Sequence, residues 1–220
     1  MDSVTFTNPS VAAISKSVIF SKYNAEVDSQ FAKLYGITGY PTMVIVKPNG
    51  AEIDRLVGFY PPEDFIPALF DVMQNRNTLD DYLTRLANYP DSAALRMEVA
   101  EKYKYRSQSD VAKMHYNFII DSDRENLLGY SDDCLLSLGQ MELKAKNYAD
   151  AVGYFEMMQT EYPASELFEE ANVYVPYTLM KAGEKKKAIK AFEAFKKEFP
   201  ESEDLEWVDE QIVKIKEGKN

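Results

Sequence analysis

The residues able to do chemistry are few and far apart. Of 220 residues one is a cysteine, Cys134, and one a histidine, His115. Thiol–disulfide exchange needs a thiolate at low pKa, usually beside a positive charge or a helix N-terminus. Cys134 sits in "SDDCLLSLGQ", next to Asp132 and Asp133, and acidic neighbours push a thiol the other way. It reads as a small packing residue on a helix. His115 has Asp110 and Asp121 nearby in sequence but no second histidine, so no metal site is expected. No glycine-rich phosphate loop occurs, and no cofactor is expected. The stretch "YGITGYPTMVIVKPNG", Tyr35 to Gly50, stands apart. Gly39, Tyr40, Pro41 and Thr42 lead into a β-branched run, and Pro48-Asn49-Gly50 ends it. That is a buried strand entered through a constrained proline and left through a turn.

Such residues need a scaffold, and composition bounds it. Hydrophobic residues make up 45% and aromatics 13%, ample for a packed core. The net charge is −11. The first 75 residues carry −3 and the remainder −8, so neither part has the basic surface that holds a phosphate backbone. Nucleic acid is excluded as an expected partner. No apolar run reaches the length needed to span a bilayer, and the first residues lack a signal-peptide pattern. A lone cysteine cannot form an intrachain disulfide, which suits a cytoplasmic setting. A periplasmic or secreted location is the alternative if a signal lies upstream.

Two regimes follow along the chain. Over residues 1–75, Val18–Phe20 predicts a strand. Phe31, Leu34 and Tyr35 predict a helix that Asp28 or Ser29 caps and Gly36 stops. Thr42–Val46 and the segment from Ile53 to Val57 predict a hairpin. Phe65, Leu69 and Val72 give a last helical face, with Asp64 as its cap so that Pro67 falls early in the helix. A sheet this thin leaves an open edge, which gives a tendency to form a homodimer if these residues stand alone. From residue 78 onward the pattern is helical throughout.

The helical part repeats itself. "YPDS", "YPAS" and "FPES" (Tyr89, Tyr162 and Phe199 onward) share one form. "NYADAVGYFEMMQTEYP" matches "EKKKAIKAFEAFKKEFP", aligning Ala151 with Ala188, Phe155 with Phe192 and Pro163 with Pro200. Ala112 and Tyr116 fit one period earlier. This resembles the tetratricopeptide repeat, in which a small residue lets paired helices approach and an aromatic four residues on fills the gap. By that resemblance Gly139 and Ala100 take the small position of a first helix. Pro176 stands there in the third repeat and predicts a kinked or shortened helix. Leu79–Tyr89 reads as a half-repeat, and a helix from Leu205 to Lys216 could cap the array. The lysines of 185–187, with Lys190, Lys196 and Lys197, are either a solvated face or a clamp for an acidic peptide.

The opening stretch finds its place by resemblance too. "GITGYPT", with "NPSVAAI", "FAKLYGI" and "PNGAEIDRLVGF" in the same order, looks like the thioredoxin family over residues 1–75. The resemblance implies a cis-proline loop whose Gly39, Tyr40, Pro41 and Thr42 offer a backbone edge to a peptide. It also implies that the family's Cys-x-x-Cys would lie upstream of Met1, with the domain's first elements. The expected architecture is therefore α/β plus all-α. A partial thioredoxin-like fold (1–75, lacking the Cys-x-x-Cys segment) is followed by tetratricopeptide-like helices (76–220). The expected function is a polypeptide-interaction module without catalytic cysteines of its own, its clients held by the helical repeats. Two alternatives stand beside it. One is a thiol-disulfide oxidoreductase of cell redox homeostasis that draws its cysteines from upstream. The other is a holdase-type chaperone.

Overall fold

The computed structural model describes residues 1–218. They form two compact units, residues 1–115 and the chain from Tyr116 onward.

The first unit opens with α1 (Pro9–Ile14), capped by the Asn8 side chain, which accepts from the Ser10 N–H at 2.9 Å. Helix α2 (Ser29–Leu34) follows, with Asp28 at its N-cap position. Strands β1 (Thr42–Val46) and β2 (Glu52–Val57) form an antiparallel hairpin. Met43 faces Leu56 and Ile45 faces Asp54, but Val46 faces Glu52. Ile53 is therefore the extra residue of a bulge. Helix α3 (Pro62–Met73) lays Phe65, Leu69 and Val72 against Val11 and Leu56, with Met43 and Ile45 alongside.

Three expectations need correction here. Val18–Phe20 forms no strand, and Ile19 is 93% exposed. A strand needs a neighbour for its N–H and C=O groups. The only sheet among the described residues is the two-stranded hairpin, so this segment has no strand to pair with. Asp64 does not cap α3; Pro61 holds the cap position and Pro62 starts the helix. Pro67 consequently lies in the interior of α3 and removes one backbone hydrogen bond, which the buried apolar face must offset. Leu34 is exposed rather than packed, although Phe31 meets the Tyr23 ring at 4.1 Å.

Helices α4 (Leu79–Asn88) and α5 (Ala93–Tyr105) are each N-capped by a hydroxyl. Thr78 accepts from the Asp81 N–H and Ser92 from the Leu95 N–H. They pack through Tyr82, Leu86, Leu95 and Val99. The hairpin is joined to α5 by charge. Asp54 is fully buried and accepts from Lys102 Nζ at 2.6 Å and Arg106 Nη2 at 2.5 Å. Arg55 binds Glu52 at 2.6 Å and donates to the Tyr35 and Tyr105 carbonyls at 2.8 and 2.7 Å. Every charge in this cluster has a partner. Deleting one partner of such a buried set costs about 3–5 kcal/mol, because the other charge is left bare. Gly36 (φ +59°) lies close beside it; a Cβ there would stand 3.0 Å from the Arg106 carbonyl oxygen.

Helix α6 (Ser109–Ser122) carries the division between the units. The second unit continues with α7 (Ser131–Ala145), α8 (Tyr148–Glu161), α9 (Phe168–Lys181), α10 (Lys185–Glu198) and α11 (Leu205–Lys216). The repeat positions read from the sequence sit in its core: Ala151, Phe155, Ala188 and Phe192 are each 0% exposed. The predicted shortening at Pro176 is absent. Helix α9 has 14 residues, as α8 and α10 do, and Pro176 is buried within it. Pro176 leaves the Asn172 carbonyl without its helical donor. Burial of Ala171, Val173 and Met180 on the same helix offsets that loss.

Gly139 explains how closely these helices meet. A Cβ on it would fall 2.4 Å from a Phe155 ring carbon. Alanine is the better helix former by about 0.5–1 kcal/mol, but overpacking a tight core costs about 1–3 kcal/mol. Gly139→Ala should therefore lower stability, seen as an earlier urea midpoint. An unchanged or later midpoint would contradict this packing.

Candidate functional site

The loop singled out in the sequence is well formed. The Tyr40–Pro41 peptide is cis. Thr42 Oγ1 donates to the Gly39 carbonyl at 2.8 Å, and the Gly58 N–H donates to the Pro41 carbonyl at 2.9 Å. Tyr40 is 69% exposed. Along β1, the Pro41 carbonyl and the Lys47 N–H both point at the β2 side. Strand alternation then turns the backbone groups of Thr42, Val44 and Val46 to the outer edge. That edge has no strand partner among the described residues.

The other chemical candidates settle into packing. Cys134 is fully buried in α7. His115 is buried and stacks at 6.1 Å on Tyr103. Burial, then the Arg96 charge, holds its pKa below the usual histidine value. Arg96 Nη1 lies 3.5 Å from His115 Nδ1; as guanidinium only donates, that nitrogen is the acceptor of a neutral ring. No group able to hold a metal occurs among the described residues. On α10, Lys185 to Lys187 are exposed, Lys187 pairs with Glu184 at 3.2 Å and Lys196 with Asp209 at 2.5 Å.

A second candidate emerges in the helical unit. The Phe155 ring that fills the Gly139 gap stacks on Tyr174 at 5.0 Å. Tyr174 meets Tyr177 edge-on at 6.5 Å, and Tyr177 meets Trp207 at 5.6 Å. Gln140 Nε2 of α7 donates to both Glu170 Oε1 and Tyr174 Oη at 3.2 Å. Lys181 Nζ stands 5.2 Å over the Tyr177 ring. So α9 lies between α7 and α11 and carries a stripe of Glu170, Tyr174, Tyr177 and Lys181. Tyr174 and Tyr177 are half-buried and Trp207 is 36% exposed. The rings are held on one side and open on the other.

The sequence offered a signal for this stripe. Residues 170, 174, 177 and 181 follow helical spacing, but spacing alone does not separate a core stripe from an open one. The buried charges of Asp54 and Arg55 gave no signal, because partners distant in sequence make their burial tolerable: Lys102 and Arg106 for Asp54, the Tyr35 and Tyr105 carbonyls for Arg55.

The stripe has an electrostatic gradient. Burial, then the nearby Asp204 and Asp133 charges, raise the Glu170 pKa above the usual glutamate value. Burial, then the Glu170 charge, raises the Tyr174 phenol. A carboxyl raised in the folded state binds more protons there than when unfolded. Its contribution to stability is therefore present below the unfolded pKa and lost as pH rises through the folded one. Glu170→Gln should make the protein more stable than the parent at pH 7, with the gap closing as pH falls toward about 4. Thermal melts of both across that range check this. A gap that is constant with pH would contradict it.

Comparison with known proteins places both parts. Residues 1–73 match the family model described as a thioredoxin-like domain. Residues 131–209 match the model described as an outer membrane lipoprotein. Over 88 residues the chain is 27% identical to outer membrane protein assembly factor BamD of Neisseria meningitidis serogroup A, covering 40% of this chain and 33% of that protein. The BamD of Neisseria gonorrhoeae is 28% identical over 87 residues, with the same shares covered. The chain thus spans about a third of the length of the curated relatives it matches. It joins a partial thioredoxin-like fold to a tetratricopeptide-like helical array similar to that of the outer membrane lipoprotein family.

Proposed function

We propose that this chain is a polypeptide-binding module working outside the cytoplasm, at the outer membrane. The observation that carries the reading is the half-exposed ladder Tyr174–Tyr177–Trp207, held in place by repeat packing. Rigid aromatic side chains with one open face are favoured anchors for a protein partner. The matched relatives are named for outer membrane protein assembly, and this supports both a protein client and the envelope location over the cytoplasmic one. In this reading residues 1–75 are the thioredoxin-like portion and residues 76–220 the helical repeats. Gly39, Tyr40, Pro41 and Thr42 supply a second peptide contact, and the open edge of β1 supports self-association. A holdase is the same activity applied to unfolded clients. The oxidoreductase alternative would take both its thiols from sequence preceding Met1, and an intact-mass measurement of the native product with thiol alkylation decides it.

The test is binding of a reduced, alkylated model client to the parent chain and to the Tyr177→Ala/Trp207→Ala variant. The variant should bind at least about tenfold more weakly, equivalent to about 1.4 kcal/mol. Its helical circular dichroism should stay close to the parent's. Equal binding by the folded variant would overturn the assignment of this face.

A further inference from the structure

We infer that the polypeptide bound by the α7–α9–α11 face is cationic: a segment that sets an apolar side chain on the Tyr174–Tyr177–Trp207 ladder and a lysine or arginine at Glu170 and Asp204. This deepens the polypeptide-binding reading above and rests on it.

Charge complementarity points to a cation. Glu170 is half-buried at one end of the aromatic ladder, and its Oε1 accepts only from the neutral Gln140 amide, at 3.2 Å. Neither Glu170 nor Asp204 forms an ion pair among the described residues. Elsewhere in this unit exposed charges do find partners: Lys196 with Asp209, Lys214 with Glu210 and Lys187 with Glu184. The face thus carries negative charge without an ion-pair partner among the described residues.

Compensation by the helix itself does not account for this. Glu170 lies in the first turn of α9, where the helix dipole favours a negative charge. That effect alone would hold its pKa down. The pKa is instead raised, by burial and by Asp204 and Asp133. Burial first, and then the two like charges, disfavour the carboxylate, and a cation placed there would offset both.

The rings next to this charge suit the same ligand. Lys181 already stands 5.2 Å over Tyr177, showing that this ladder accepts an ammonium group against a ring face. Lys181 lies at the last residue of α9 and Glu170 in the first turn, so the stripe is acidic at one end and basic at the other. A bound segment is thereby oriented, with its basic residue toward Glu170.

Trp207 is the sole tryptophan and reports directly on the face. The probes are two unstructured decapeptides of leucine and serine, free of aromatic residues, one carrying lysines and the other glutamates at the same positions. Titration of the full chain, followed by Trp207 emission, should show the lysine peptide binding at least about tenfold more tightly at low salt. The preference should shrink toward unity at about 0.5 M salt. In Glu170→Gln/Asp204→Asn it should fall below about threefold, while the melting temperature at pH 7 does not drop. Equal or tighter binding of the glutamate peptide, or an undiminished preference in the folded variant, overturns the inference. If both peptides bind equally well, polypeptide binding stands and only the cationic class falls. If neither peptide nor the model client binds, both readings fall together.

Discussion

The helical unit depends on the contact between Gly139 and the Phe155 ring. With no side chain at 139, the ring moves in to where a Cβ would be, 2.4 Å away from that position. Closeness here has a consequence one layer further on. Phe155 also stacks on Tyr174, and Tyr174 sets the start of the ladder that runs through Tyr177 to Trp207. The interior contact and the half-exposed rings form one continuous chain of ring contacts. Here the core aromatic directly supports the first half-exposed ring. The low entropy of a packed ring is what makes it a useful anchor.

The first unit is organised on a different principle. Its sheet has only two strands, too few to bury both faces well. The hairpin is fixed instead by the buried ion cluster of Asp54, Glu52 and Arg55 with Lys102 and Arg106. Arg55 also closes the C-terminal carbonyls of α2 and α5, through Tyr35 and Tyr105. Its forked guanidinium can reach both carbonyls and Glu52 together, which a lysine ammonium could not do. A fully satisfied network of this type contributes little net stability. Its effect is to fix one arrangement of the hairpin against α5, since any displacement strands a charge away from water.

Much of the helical architecture was legible in the sequence because it rests on local pattern. Ala151, Phe155, Ala188 and Phe192 recur at a fixed period and are all buried, and the final helix runs from Leu205 to Lys216 as its spacing predicts. The hairpin was legible from the Thr42–Val46 run and the Pro48-Asn49-Gly50 turn. What failed were features decided by distant partners. Val18–Phe20 has strand composition but no neighbour to pair with. Pro176 could have shortened its helix, yet it lies buried within a 14-residue helix. The proposed face was half legible: the spacing of Glu170, Tyr174, Tyr177 and Lys181 is in the chain, but their setting depends on Trp207 and Gln140 from neighbouring helices.

The central claim is that a polypeptide is held on the face where α7, α9 and α11 meet. Backbone hydrogen exchange measured with and without a bound client tests it most directly. The account predicts that added protection concentrates in α9 from Glu170 through Tyr177, in the first turn of α11 and in α7 around Gln140, with little change in α8 and α10. Protection confined to α8, α10 or the first unit, with α9 and α11 unchanged, would contradict it.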